Sequence, residues 1–230
     1  MRVAGLYDVH GNVPALEAVL AEVEREGVDE IVFGGDIASG APQPRETVEL
    51  IRSLPNARSI RGNADRLDDP AFRDDSGRIW VEDQLDEDQV RWLAELPFST
   101  IVDGTLYVHA TPQDDETVIT EITIDERLAE LLAGVEQPRV VAGHTHMQLE
   151  RRVGEVLFVN AGSVGRPYEG RPGAYWALLD DEVELRRTEY DLEAAAALIR
   201  ASGHPRAEEL AAENVLKVPS RAEAIAVFGG

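Results

Sequence analysis

Five short apolar runs in this 230-residue chain each end in residues able to hold a metal ion. Residues 3–7 run into Asp8-Val9-His10, residues 31–33 into Gly34-Gly35-Asp36, and Ser59-Ile60 into Arg61-Gly62-Asn63. His109 follows residues 105–108, and Gly143-His144-Thr145-His146 follows residues 140–142, so four of the five histidines fall in the series. Asp8, His10, Asp36, Asn63, His109, His144 and His146 make seven side chains, enough for two four-ligand sites if one carboxylate bridges. The chain has no cysteine, so any metal is held by nitrogen and oxygen. Imidazole with carboxylate suits manganese, iron, zinc or nickel better than calcium. Two such ions, about 3.5–4 Å apart, clamp the attacking and leaving oxygens of an in-line displacement and turn bound water into hydroxide near neutral pH.

The elements that must position these residues alternate along the chain. Short apolar runs that stop at polar residues read as buried strands. Leu16, Val19, Leu20 and Val23 recur at helical spacing, with Asn12 placed to cap the helix, Pro14 in its first turn and Gly27 at its end. Further helices are expected over residues 44–54, 90–96, 125–133 and 192–200, and hairpins around Asp103-Gly104, Gly154 and Asp180-Asp181. This alternation argues for an α/β fold. In an open α/β sheet ligands bind beyond the carboxyl ends of the strands, so the motif residues should converge on one sheet edge. Residues 66–84 are acidic and read as an irregular surface insertion; residues 111–124 read as a loop or small lid beside the site. With no repeat or linker, residues 1–230 are expected to form one domain, with a motif-bearing core over roughly 1–190 and a C-terminal helical segment over roughly 191–230.

The formal net charge is −22, from 44 acidic and 22 basic residues, and Lys217 is the only lysine. Such a surface repels a phosphate backbone, which argues against a nucleic-acid polymer as partner. The first apolar run ends at Asp8, too soon for a secretory signal, and no stretch approaches a membrane span, so a cytoplasmic protein with no membrane partner is expected. The acidic runs at Asp68-Asp69, Asp74-Asp75 and Asp86-Glu87-Asp88 are expected to be solvated faces, and His204, before Pro205 in a polar stretch, is expected to be exposed.

Taken in order, Asp8-x-His10, Gly35-Asp36, Gly62-Asn63, His109 and Gly143-His144-x-His146 resemble the motifs of calcineurin-like metallophosphoesterases, over roughly residues 1–170. Asn160-Ala161-Gly162-Ser163-Val164-Gly165 resembles a motif of the family's small prokaryotic phosphodiesterase branch. The resemblance implies a four-layer α/β/β/α sandwich. It implies two divalent transition metal ions, one on Asp8, His10, Asp36 and His146, the other on Asp36, Asn63, His109 and His144. Asp36 would be the bridge, with Asp36, Asn63 and His109 at the catalytic centre and a metal-bridging hydroxide attacking phosphorus. The implied substrates are small nucleotide-like molecules with phosphodiester or phosphoanhydride bonds.

The chain departs from the pattern at Ala64, where many relatives have a histidine near the leaving group, and at Tyr7 and Ala110, which replace smaller residues and are expected to narrow the cleft. Asp65 is a candidate replacement acid. Asn12 is either a helix cap or a substrate contact, and Arg166 either binds substrate phosphate or sits in a surface ion pair. Arg61 and Arg66 are expected at the surface. Two other functions fit less well: a phosphomonoesterase or protein phosphatase, which differs in pocket shape, and a catalytically weak binding scaffold such as the retromer subunit of the same fold. Ala64 favours the scaffold, while the complete set of seven ligand types opposes it.

Overall fold

Strand β1 (Val3–Leu6) is wholly buried and hands the chain to Asp8 at its carboxyl end. The computed structural model describes residues 1–40, 42–67 and 75–228. Helix α1 (Val13–Glu26) follows, capped by Asn12, whose Oδ1 accepts from Ala15 N, and closed by Gly27 in the left-handed region at φ 64°. Strand β2 (Glu30–Phe33), helix α2 (Pro44–Ser53) and strand β3 (Ala57–Ser59) continue the alternation. Strands β1, β2 and β3 are parallel neighbours; β9 (Ala174–Leu179) and β10 (Val183–Thr188) extend the sheet antiparallel, in the order β10-β9-β1-β2-β3.

A second five-stranded sheet has the order β4-β5-β6-β8-β7. Its strands are β4 (Ser99–Val102), β5 (Thr105–Val108), β6 (Arg139–Ala142), β7 (Leu149–Val153) and β8 (Val156–Asn160), with β5, β6 and β8 parallel. Period-2 alternation then builds the layers. Ile31 and Phe33 face α1, α2, α3 (Ser76–Gln84) and α4 (Glu87–Ala94), while Val32 joins Val141, Val159 and Ala177 between the sheets. Val140 and Phe158 pack under α5 (Asp125–Leu131) on the far side. The result is the α/β/β/α sandwich, with the carboxyl ends of both sets of parallel strands at one edge.

Three expectations are corrected. Residues 76–84 are a helix rather than irregular chain: Asp75 Oδ1 accepts from Gly77 N and Arg78 N, and Val81 is buried. Two adjacent aspartates look like a charge run, and only the backbone N–H groups that Asp75 meets reveal a cap; Asp68, Asp69 and Asp74 lie outside the described residues. Tyr7 does not narrow a cleft, because its ring lies between the sheets and its hydroxyl donates to Val141 O at 2.9 Å. His204 is 4% exposed, edge-on to Trp80 of α3, with Nδ1 accepting from Arg206 N.

The described C-terminal segment is helical. Helix α6 (Leu192–Ala201) packs on α7 (Ala207–Leu210) and the π-helical turn that continues it over Ala211–Leu216, through Ala196, Ile199, Leu210 and Val215; α8 (Arg221–Phe228) follows. Among the described residues no helix is long and apolar enough to cross a membrane.

Candidate metal centre

Five of the seven candidate ligands occupy a backbone conformation that L-residues avoid. Asp8, His10, Asp36, His144 and His146 have φ of 53°, 50°, 52°, 67° and 58°; among the described residues the only other non-glycine at positive φ is Asp103, in a hairpin turn. Each such residue costs about 1–3 kcal/mol and persists only where its surroundings over-determine it. Here they do: Asp8 N donates to Gly35 O at 3.1 Å, His10 N to Asp36 O at 2.9 Å and Gly143 N to His109 O at 2.8 Å, tying the strand ends to one another. At Gly62 a Cβ would stand 2.2 Å from Asp36 Oδ1 and 2.5 Å from Asp36 N, so only glycine lets the Asn63 turn approach so closely.

Asp8, His10, Asp36 and His146 are buried, and their ligand atoms lie within 4.8 Å of one another. The protons of this cluster point outward. His10 Nδ1–H donates to Ser39 O and His146 Nδ1–H to Arg166 O, so both Nε2 lone pairs face inward, 3.1 Å apart. Asp8 Oδ2 accepts from His144 N at 3.0 Å, whereas Asp8 Oδ1 is buried with no hydrogen-bond partner, 3.3 Å from His146 Nε2. Burial, then His146, pushes the His10 imidazole down to about 4, so this ring is neutral near neutral pH. Asp8 is buried too, but His146, His109 and His10 hold its carboxyl well below the usual range. Converging lone pairs beside an orphaned carboxylate oxygen fit a divalent cation.

A second convergence adjoins the first. His109 Nδ1–H donates to Gly34 O at 2.8 Å, leaving Nε2 facing Asn63 Oδ1 at 3.0 Å. His144 Nε2–H donates to Glu116 O at 2.9 Å, leaving Nδ1 facing Asn63 Oδ1 at 3.1 Å. Asp36 lies between the groups, with Oδ1 3.6 Å from His109 Nε2 and Oδ2 3.8 Å from His10 Nε2. All seven predicted ligands therefore meet at one edge of the sandwich. Glu116 O comes from the loop expected near the site, which Asp114 orders by accepting from Thr117 N and Oγ1.

The residues expected at the substrate fare differently. Asn12 is used up as the α1 cap and by donating to Gly165 O and Tyr190 Oη. Asp65 is 1% exposed, and its carboxylate accepts from Asp36 N, Ile37 N and Gly62 N at 2.8–2.9 Å. It clamps two loops together, and with its oxygens committed to these three N–H groups it is poorly placed to serve as a replacement acid. Arg66 and Arg61 lean on Asp115 at 3.6 and 3.8 Å, half-buried rather than free at the surface.

Arg166 lines a cleft of about 220 Å³ over the centre, together with His10, Asn63, Ala64, Arg78 and Arg206. Arg78 and Arg206 were not foreseen, and neither was Tyr168, whose ring stacks on His146 at 4.6 Å. Nothing local marks these arginines, since arginine is nearly the chain's only cation. A further hollow of about 310 Å³, around Asp103, Thr105 and Arg139, sits at the amino ends of the parallel strands and contains none of these groups.

The chain belongs to the calcineurin-like phosphoesterase superfamily, whose domain model matches residues 1–182. It is a metal-dependent phosphoesterase. It is 27% identical over 184 residues to the phosphodiesterase YfcE of Escherichia coli strain K12, covering 80% of this chain and 89% of that one. It is 28% identical over 225 residues to the uncharacterized protein MJ0912 of Methanocaldococcus jannaschii, covering 84% and 89%. The crystal structure of a metallophosphoesterase from Sphaerobacter thermophilus is similar with a TM-score of 0.80 at 30% identity, over 94% of this chain and 98% of that one.

Proposed function

We propose that this chain is a dinuclear-metal hydrolase of phosphodiester or phosphoanhydride bonds in small nucleotide-like molecules. The observation that carries the proposal is the carboxylate of Asp36, whose two oxygens face two separate groups of imidazole nitrogens, one led by His10 and the other by His109. Asp8, His10, Asp36 and His146 would hold one ion, and Asp36, Asn63, His109 and His144 the other, with manganese, iron, zinc or nickel suited to the donors. When bound, such ions supply Lewis acidity, polarising a phosphoryl oxygen and acidifying water at the site.

The chain's own residues do the rest. Ser39 O, Gly34 O and Arg166 O each hold an imidazole Nδ1 proton, which fixes the ring planes and keeps the Nε2 lone pairs turned inward. Asp65 holds the peptide groups of Asp36 and Gly62 in register, so the bridging carboxylate and Asn63 cannot drift apart. Arg78, Arg166 and Arg206, against the one carboxylate of Asp75, line the cleft over the centre of a chain whose net charge is −22, which favours an anionic ligand there. Ala64 lines the same cleft and can hold no proton, which favours leaving groups that are already stable anions.

Metal content and a panel of chromogenic mono- and diesters test the reading. Two ions per chain and a preference for diesters are expected. Full activity with one ion per chain would overturn the dinuclear assignment, and a preference for monoesters would overturn the substrate class.

A further inference from the structure

Arg166 stands where two hollows meet. On one side is the cleft over the candidate ligands; on the other is a chamber of about 640 Å³ between Arg166, Tyr168 and the C-terminal helices. This volume lies within the range of small-molecule sites, about 300–1,000 Å³. Tyr168 stacks on His146 with ring planes 29° apart, and its centroid lies 6.2 Å from that of Phe228 on α8. A row of rings thus leads from a candidate metal ligand into the chamber, and Val218, Pro219 and Ala224 continue its apolar wall. The Arg166 guanidinium lies 5.9 Å from the Tyr168 ring, and its Nε has no hydrogen-bond partner among the described residues. The charged part of the lining is mostly acidic: Glu209, Glu213 and Glu223 against Lys217 and Arg166.

We infer that this chamber binds a flat, uncharged aromatic group of the substrate, a nucleobase or aryl ring, stacked against Tyr168 and Phe228, while Arg166 holds the phosphate at the junction. The inference rests on the phosphoesterase reading above and names the part of the molecule that selects the substrate. The three carboxylates outnumber Lys217 and Arg166, so the chamber suits the organic end of a phosphoester better than a second phosphate. The walls from Glu209 to Phe228 lie beyond the stretch matched by the superfamily model, while Arg166 and Tyr168 lie within it, so the C-terminal helices complete a site that the matched domain begins.

The test is calorimetric binding of AMP, ribose 5-phosphate and phenyl phosphate to the full chain, both in chelator and with manganese. Base stacking typically contributes about 1–3 kcal/mol, so AMP should bind roughly 5–150-fold tighter than ribose 5-phosphate. Phe228→Ala removes one ring and Ala224→Trp fills the chamber; each should bring that ratio toward one. The second variant guards against α8 simply loosening in the first. Phenyl phosphate as tight as AMP would support an aryl site, and a preference for AMP a nucleobase site. A ratio near one in the unaltered protein, or a ratio unmoved by both variants, overturns the inference. If bis(4-nitrophenyl) phosphate is still hydrolysed in that case, the chamber alone falls. If no phosphate ester binds or reacts, the phosphoesterase reading falls with it.

Discussion

His10 Nε2 and His146 Nε2 face each other across 3.1 Å while the other nitrogen of each ring gives its proton to a backbone carbonyl. Two lone pairs so placed repel unless a cation lies between them. Chelation should therefore lower the thermal midpoint, and manganese or zinc should restore it. An ion at 100 times its Kd stabilises the native state by about 2.7 kcal/mol. Equal midpoints with and without metal would show that these rings share no ion.

Asp36→Asn should lower activity more than Asn63→Ala. Asp36 offers a charged oxygen to each convergence, whereas Asn63 offers one neutral oxygen to one of them. Losing even an outer partner of a metal ligand commonly costs about 10–100-fold, so Asn63→Ala, which removes a proposed ligand oxygen, should lose at least that much and Asp36→Asn more. Metal content must be measured on both variants, because lost binding and lost chemistry look alike in rate. Equal, small losses would refute the bridging role.

Ala64 leaves the cleft without an acid at the position many relatives fill with histidine, and Asp65 is committed to three backbone N–H groups. General acid catalysis is typically worth about 10²–10⁴-fold. Aryl esters and anhydrides should therefore turn over well and alkyl esters poorly, with rates falling steeply as leaving-group pKa rises. Ala64→His should help the poorest leaving groups most. A flat dependence, with chemistry rate-limiting, would mean that some other group supplies the proton.

In the metal-free protein burial, and then the Asp36 carboxylate, push the Asp65 carboxyl up to about 7 from 3.8, against the pull of the Gly62 and Ile37 N–H groups. A carboxyl raised on folding holds its proton longer in the native state than in the unfolded one. Its contribution to stability is complete below 3.8 and is lost as pH rises through about 7. Without metal, the unaltered protein should lose stability between these limits relative to Asp65→Asn, whose amide does not titrate. With metal the nearby cations favour the carboxylate and the difference in slope should shrink. Parallel stability profiles for the two metal-free proteins would refute this account of Asp65.

Which residues could ligate a metal, and their order behind apolar strands, were legible in the sequence, because strand ends and side-chain donors are local properties. The same holds for α1, whose cap, first-turn proline and left-handed glycine all sit within its own residues. Asp65 was not legible in that way. Next to Ala64 its carboxylate looks like a spare acid, and only the fold brings Asp36 N and Ile37 N, nearly thirty residues earlier, into its reach. His204 looked exposed because its neighbours are polar, and the Trp80 ring that covers it belongs to a helix more than a hundred residues away. Arg78, Arg166 and Arg206 converge on one cleft for the same reason. Pattern within a chain sets the period and ends of its elements, but the burial and partners of a polar group depend on what distant segments bring to it, and only the packed tertiary structure decides that.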